Sequence, residues 1–152
     1  MRYVFMPSMY IFSYNRSINS HHLIIKNMTK EIIKKYGIDF ENKIVKGIVN
    51  KIPGANQSKY ITLLLYEWIS VADINDGLLA DIEEALADPN SEIEGGSTPV
   101  LIVIHHDVVD FYAAWSEDRD SMPTANLREI VIGWRDFLLS PPLNGTKIFL
   151  SP

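Results

Sequence analysis

Between residues 100 and 139 the hydrophobic pattern changes its period once, and that change constrains the fold more than any other feature of the chain. "VLIVIHHDVVDFYAAW" runs apolar, breaks at two histidines and Asp107, and resumes. It predicts a β-hairpin of Val100–His105 and Val108–Trp115 that turns near His106–Asp107. In "TANLREIVIGWRDFLL" the residues Leu127, Ile130, Val131, Trp134, Phe137 and Leu138 fall within an arc of about 120° at helical spacing. This predicts a core-facing helix capped by Thr124 and stopped at Ser140 by "SPP". A hairpin with one apolar face and a helix with one apolar stripe bury each other, so the expected class is α+β. The expected architecture is a single domain with a mostly antiparallel sheet packed with amphipathic helices.

Thr29 and Gly37 bracket a short helix as cap and stop, with Ile32, Ile33 and Tyr36 inward. A second helix is expected from Asp39 to just before Pro53–Gly54, with Phe40, Ile44, Ile48 and Ile52 along one side. Tyr60–Ile74 is continuously apolar at first, and its Ile, Thr, Tyr, Trp and Val content favours a buried strand over a buried helix. Asn75–Asp88 reads as an amphipathic helix, with Leu78, Leu79, Ile82 and Leu86 on one side and Asp81, Glu84 and Asp88 on the other. Pro89 ends it, and "PNSEIEGGSTP" reads as a loop. "TKIFL" is expected as an edge strand, and the apolar Tyr3–Tyr14 as a strand or hairpin bent at Pro7–Ser8. The first residues are not read as an export signal, because Pro7 and Ser8 interrupt the run and no small-x-small site follows. Met28 is a candidate alternative start, which would make the preceding residues an extension of the domain.

Charge is the other strong signal. Residues 1–66 hold ten Lys/Arg against three Asp/Glu, whereas residues 67–120 hold one, Arg119, against fourteen. An ordinary surface intersperses lysine among so many carboxylates. Here Asp81, Glu84 and Asp88 recur at helical spacing, where like charges cost a few tenths of a kcal/mol each. The acids suit a basic partner, which such a field steers at high rate.

Other chemistry finds less support. A calcium loop from Asp73 has Leu78 where glycine is required, and one from Asp88 has Ile93 there and Pro99 in place of the terminal glutamate. Adjacent histidines on a strand point to opposite faces, so neither His21–His22 nor His105–His106 suits a single ion. A metal-dependent hydrolase built on His105, Asp107 and Asp110 is the alternative reading, although no HExxH accompanies them. There is no G-x-S-x-G elbow, and "EGG" precedes a strand instead of opening a helix. The lysines are dispersed and not interleaved with aromatic residues, against direct nucleic-acid binding. Trp68, Trp115 and Trp134 sit in apolar patterns and are read as core. The chain has no cysteine, which excludes disulfides and thiolate metal sites and suits a reducing cytoplasm. No stretch approaches the roughly 20 apolar residues of a membrane helix.

The order "YEWISVADI", "DIEEAL", a hairpin ending "VVDFYAAW" and then "PTANLREIVIGWRDFL" is similar to bacterial immunity proteins of polymorphic-toxin and contact-dependent growth inhibition systems. The resemblance covers roughly Tyr60–Leu139, in element order and acidic loops. It implies a small cytosolic α+β antitoxin that binds and neutralises a toxin domain, often one acting on nucleic acid. No cofactor is called for, and no catalytic residue is carried over. The acidic pattern itself nominates the partner-binding residues: Asp81, Glu84 and Asp88 on the helix, Glu92 and Glu94 in the following loop, and Glu117, Asp118 and Asp120 after the hairpin. A structural or regulatory subunit of another complex is the third reading.

Overall fold

A computed structural model describes residues 28–149. The strand or hairpin expected at Tyr3–Tyr14 lies outside them. Helix α1 (Lys30–Tyr36) has the caps expected of it. The Thr29 hydroxyl accepts the Ile32 N–H at 3.3 Å, and Gly37 closes the helix in the left-handed conformation.

The stretch 39–52 is not a helix but a hairpin, β1 (Glu41–Val45) and β2 (Ile48–Ile52). Lys46 and Gly47 turn it with φ of 51° and 75°. A two-residue turn with both residues left-handed has the twist that antiparallel strands need, and glycine supplies one of the two at no steric cost. The buried residues are Phe40, Asn42, Val49 and Lys51, so the true period is two. Ile44, Ile48 and Ile52 mimic a helical stripe by coincidence of spacing. Residues 145–148 run antiparallel beside β2: Gly145 N–H donates to Val49 O, Val49 N–H to Thr146 O and Ile148 N–H to Gly47 O. The expected edge segment therefore lies where it can extend this hairpin.

Tyr60–Ile74 is helical where strand was favoured. It begins with α2 (Lys59–Leu65), whose buried Tyr60, Ile61, Leu64 and Leu65 follow the helical period. After a break at residues 66–70, Val71–Asp73, a π turn at Ile74–Leu78 and Leu79–Ala87 follow without interruption and together form α3. Leu78, Leu79 and Ile82 are buried as expected, and Leu86 packs partly buried against the same core.

A four-stranded antiparallel meander completes the fold: β3 (Glu92–Gly96), β4 (Val100–His105), β5 (Val108–Ala113) and β6 (Arg119–Pro123), adjacent in chain order. The β4–β5 hairpin is the expected one, with its second strand ending at Ala113. β3 replaces five residues of the expected loop, and β6 is an unexpected fourth strand. Helix α4 (Thr124–Leu139) follows, with all six residues of its expected stripe buried. Thr124 does not cap it: the residue is already helical, and its hydroxyl donates to His105 O at 2.7 Å, tying the helix to the sheet.

The helices cover one face of the meander, through Ile102, Ile104, Val109, Phe111 and Met122 of the strands. Trp134 and Phe137 of α4 also meet Phe40, with the Phe40–Trp134 ring centroids 5.0 Å apart and nearly perpendicular. That cluster joins the small hairpin to the rest, and each fully buried ring contributes about 1.5–3 kcal/mol. α4 lies between the basic and acidic parts of the chain. Glu129 accepts the Thr29 N–H and hydroxyl at 2.9 and 3.0 Å on one side, while Arg128 pairs with Glu83 of α3 on the other.

Candidate functional site

The nominated acids fall into two groups. Asp81 and Glu84 lie on α3, but the helix ends at Ala87 and Asp88 is already extended, so it does not continue their row as the helical spacing predicted. The chain then turns through Pro89–Ser91 into the edge strand β3 with Glu92 and Glu94. The two elements touch: a Cβ built on Gly95 would lie 4.0 Å from Asp81 Oδ2. Asp81 is half-buried there, and the other four are exposed. Asp88 Oδ1 accepts the Asn90 N–H at 2.9 Å, which shapes the turn. None of the five forms an ion pair with a lysine or arginine among the described residues. Ile93 and Gly95 pair with the buried Ile104 and Ile102 and face the helices. Glu92 and Glu94, opposite His105 and Val103, therefore project from the other face of the sheet, and the acids flank the β3 edge on both faces.

Glu117, Asp118 and Asp120 lie elsewhere. They sit in the β5–β6 connection and on β6, the opposite edge of the sheet, three strand spacings or about 14 Å from β3. Asp118 Oδ2 is 3.5 Å from Lys59 Nζ, the one ion pair among the described residues between a lysine of the basic first part and an acid of residues 67–120. Both side chains are largely exposed, so the pair is worth at most about 1 kcal/mol. Asp120 accepts the Ser121 N–H.

His105, Asp107 and Asp110 do not converge. His105 Nε2 is 3.4 Å from Asp110 Oδ2, on the face of the sheet away from the helices. His106 turns the other way: its Nδ1–H donates to Ala85 O near the end of α3, and its Nε2 is 3.7 Å from Asp107 Oδ1. No group of three or more His, Asp or Glu among the described residues is placed to hold a metal ion.

Two features escaped the sequence reading. The first is a hollow of about 480 Å³ lined by Glu67, Trp68, Asp73, Asp76, Gly77 and Gly96. The break after α2 and the π turn of α3 bring these residues together, so no linear spacing announces them. Trp68 is partly buried at the core margin, Trp134 is fully buried as expected, and Trp115 is instead 53% exposed. The second is Lys51, 4% exposed. Its Nζ donates to Asn42 Oδ1 at 2.8 Å and to Ser140 Oγ at 3.4 Å, and lies 4.1 Å from the centre of the Phe137 ring. Burial lowers its pKa from 10.5 to about 8. Asn42 and Lys51 are polar residue types that read as outward-facing, so the sequence carries no signal for the strand or for the buried amine.

No helix among the described residues is long and apolar enough to cross a membrane. No protein-family model, no curated protein and no solved structure matches this chain.

Proposed function

We propose that the chain is a non-enzymatic binding protein of the immunity type, which neutralises a basic toxin domain in the cytoplasm by occluding it with the acidic edge of α3 and β3. One observation carries the proposal: Asp81, Glu84, Asp88, Glu92 and Glu94 lie on α3, its C-terminal turn and the adjacent edge strand β3 without a cationic partner among the described residues. Such a field repels itself in the free protein and is relieved when an oppositely charged surface docks. Glu117, Asp118 and Asp120 form a separate rim, where charge acts mainly on the rate of encounter. A basic nuclease domain is the partner this arrangement suits best, since it presents lysines and arginines for phosphate and must be stopped quickly.

The test is co-expression with any secreted toxin domain that a neighbouring gene encodes. The wild-type chain should co-purify with that domain and restore growth. The variant Asp81→Lys, Glu84→Lys, Asp88→Lys should keep its circular dichroism spectrum, bind at least tenfold more weakly and lose protection. Undiminished binding by the folded triple variant would remove this edge from the interface.

A further inference from the structure

The hollow beside Trp68 shares a strand with the acidic edge: Gly95 of β3 adjoins Asp81, and Gly96 forms part of the hollow's wall. Its aromatic wall is held at both ends. The Trp68 indole N–H donates to Gly96 O at 3.1 Å, and the Trp68 carbonyl accepts from Trp134 Nε1 at 2.6 Å. Opposite the ring, the π turn brings its backbone close. A Cβ on Gly77 would lie 3.2 Å from two carbons of the six-membered ring, so a larger residue would push the turn and the indole apart. π turns inside α-helices recur at functional sites because the extra residue displaces side chains from the regular helical face.

Three acidic residues, Glu67, Asp73 and Asp76, line the hollow with Trp68. Both oxygens of Glu67 accept the Thr98 N–H, at 3.0 and 3.1 Å, and Oε1 also accepts the Thr98 hydroxyl, which fixes the group. Asp73 and Asp76 are exposed and form no ion pair among the described residues. The guanidinium that touches this turn, that of Arg135, is engaged by Asn75 Oδ1 at 3.2 Å and by Asp136 at 3.3 Å, and does not line the hollow.

We propose that this hollow is the anchor pocket for an arginine side chain of the basic partner, stacked on Trp68 and bonded to Asp73 and Asp76. The proposal rests on the acidic-edge function and deepens it. A planar guanidinium matches both surfaces at once, because it stacks on an aromatic face and bonds carboxylates in a fork. An ammonium group offers only a point charge, so lysine is the poorer occupant. An arginine anchor inside a rim of acids is also how binding energy concentrates at protein interfaces.

The experiment titrates hexa-arginine into the ¹⁵N-labelled full chain at low ionic strength. The expected result is a saturable shift of the Trp68 indole N–H resonance. Hexa-lysine should bind several-fold more weakly, and the exposed pair Asp73→Asn, Asp76→Asn should weaken hexa-arginine about tenfold with the rest of the spectrum unchanged. If hexa-arginine moves the Glu92 and Glu94 amides while the Trp68 indole stays still, the pocket is overturned and the acidic edge stands. If it moves neither set, both the pocket and the charge argument for the edge are overturned.

Discussion

At Lys51 the protein buries an ammonium group and surrounds it with Asn42, Ser140 and the face of Phe137, whereas Asp81, Glu84, Asp88, Glu92 and Glu94 have no cation beside them among the described residues. The two regions use charge for different ends. The amine is desolvated, and its hydrogen bonds span β1, β2 and the segment after α4, so it belongs to the packing. The carboxylates join nothing to anything except in the turn at Asp88. The fold carries them at a small cost in stability. Removing the Lys51 side chain should therefore damage the first region, whereas removing the carboxylate charges should spare, or even stabilise, the second.

The largest effect is expected at Lys51→Ala. The substitution leaves the buried Asn42 oxygen without its donor and a void beside Phe137, a loss of about 2–4 kcal/mol in urea unfolding. A loss well under about 1 kcal/mol would mean that the amine is not part of the packing. A pH effect follows from the same group. Below pH 8 both the folded and the unfolded chain hold the Lys51 proton, and the folded state bears the full desolvation cost. Between about 8 and 10.5 the folded chain has released a proton that the unfolded chain still binds. Stability attributable to Lys51 therefore rises with pH across that window, by up to about 3 kcal/mol. The difference between wild type and Lys51→Met isolates it, and a flat difference from pH 8 to 10.5 would refute it. The smallest effect belongs to the Arg128–Glu83 pair between α4 and α3, whose side chains are nearly half exposed. Glu83→Gln should change unfolding free energy by no more than about 0.2–1 kcal/mol, and the change should shrink as salt is added.

The contrast between regions also explains what the sequence disclosed. Where polarity and burial agree, the pattern was legible. The stripe from Leu127 to Leu138, the β4–β5 hairpin and the caps Thr29 and Gly37 could all be placed from residue order alone. Where a polar residue faces inward the pattern misled. With Asn42 and Lys51 buried, the hydrophobic residues left in view were Ile44, Ile48 and Ile52, whose spacing of four reads as helix. In α2 the β-branched and aromatic content outweighed a short helical period of buried Tyr60, Ile61, Leu64 and Leu65. β3 and β6 passed for loops because both are edge strands, where charges guard against mispairing, and β3 also ends in two glycines, a residue depleted in strands. The acidic edge was visible as composition, yet its separation from Glu117, Asp118 and Asp120 depends on strand order. The Trp68 hollow depends on a helix break and a π turn, neither of which has a linear signature.

If the α3 and β3 carboxylates carry no counter-charge from the chain, neutralising them removes only repulsion. The direct measurement is the unfolding free energy of the variant Asp81→Asn, Glu84→Gln, Asp88→Asn, Glu92→Gln, Glu94→Gln against wild type, at low and at high salt. These changes keep shape and the turn at Asp88 while removing charge. The neutralised protein should be more stable by about 1 kcal/mol at low salt, with the advantage fading as screening shortens to a few ångströms. A neutralised protein less stable than wild type at low salt would show instead that cations of the chain already hold these groups.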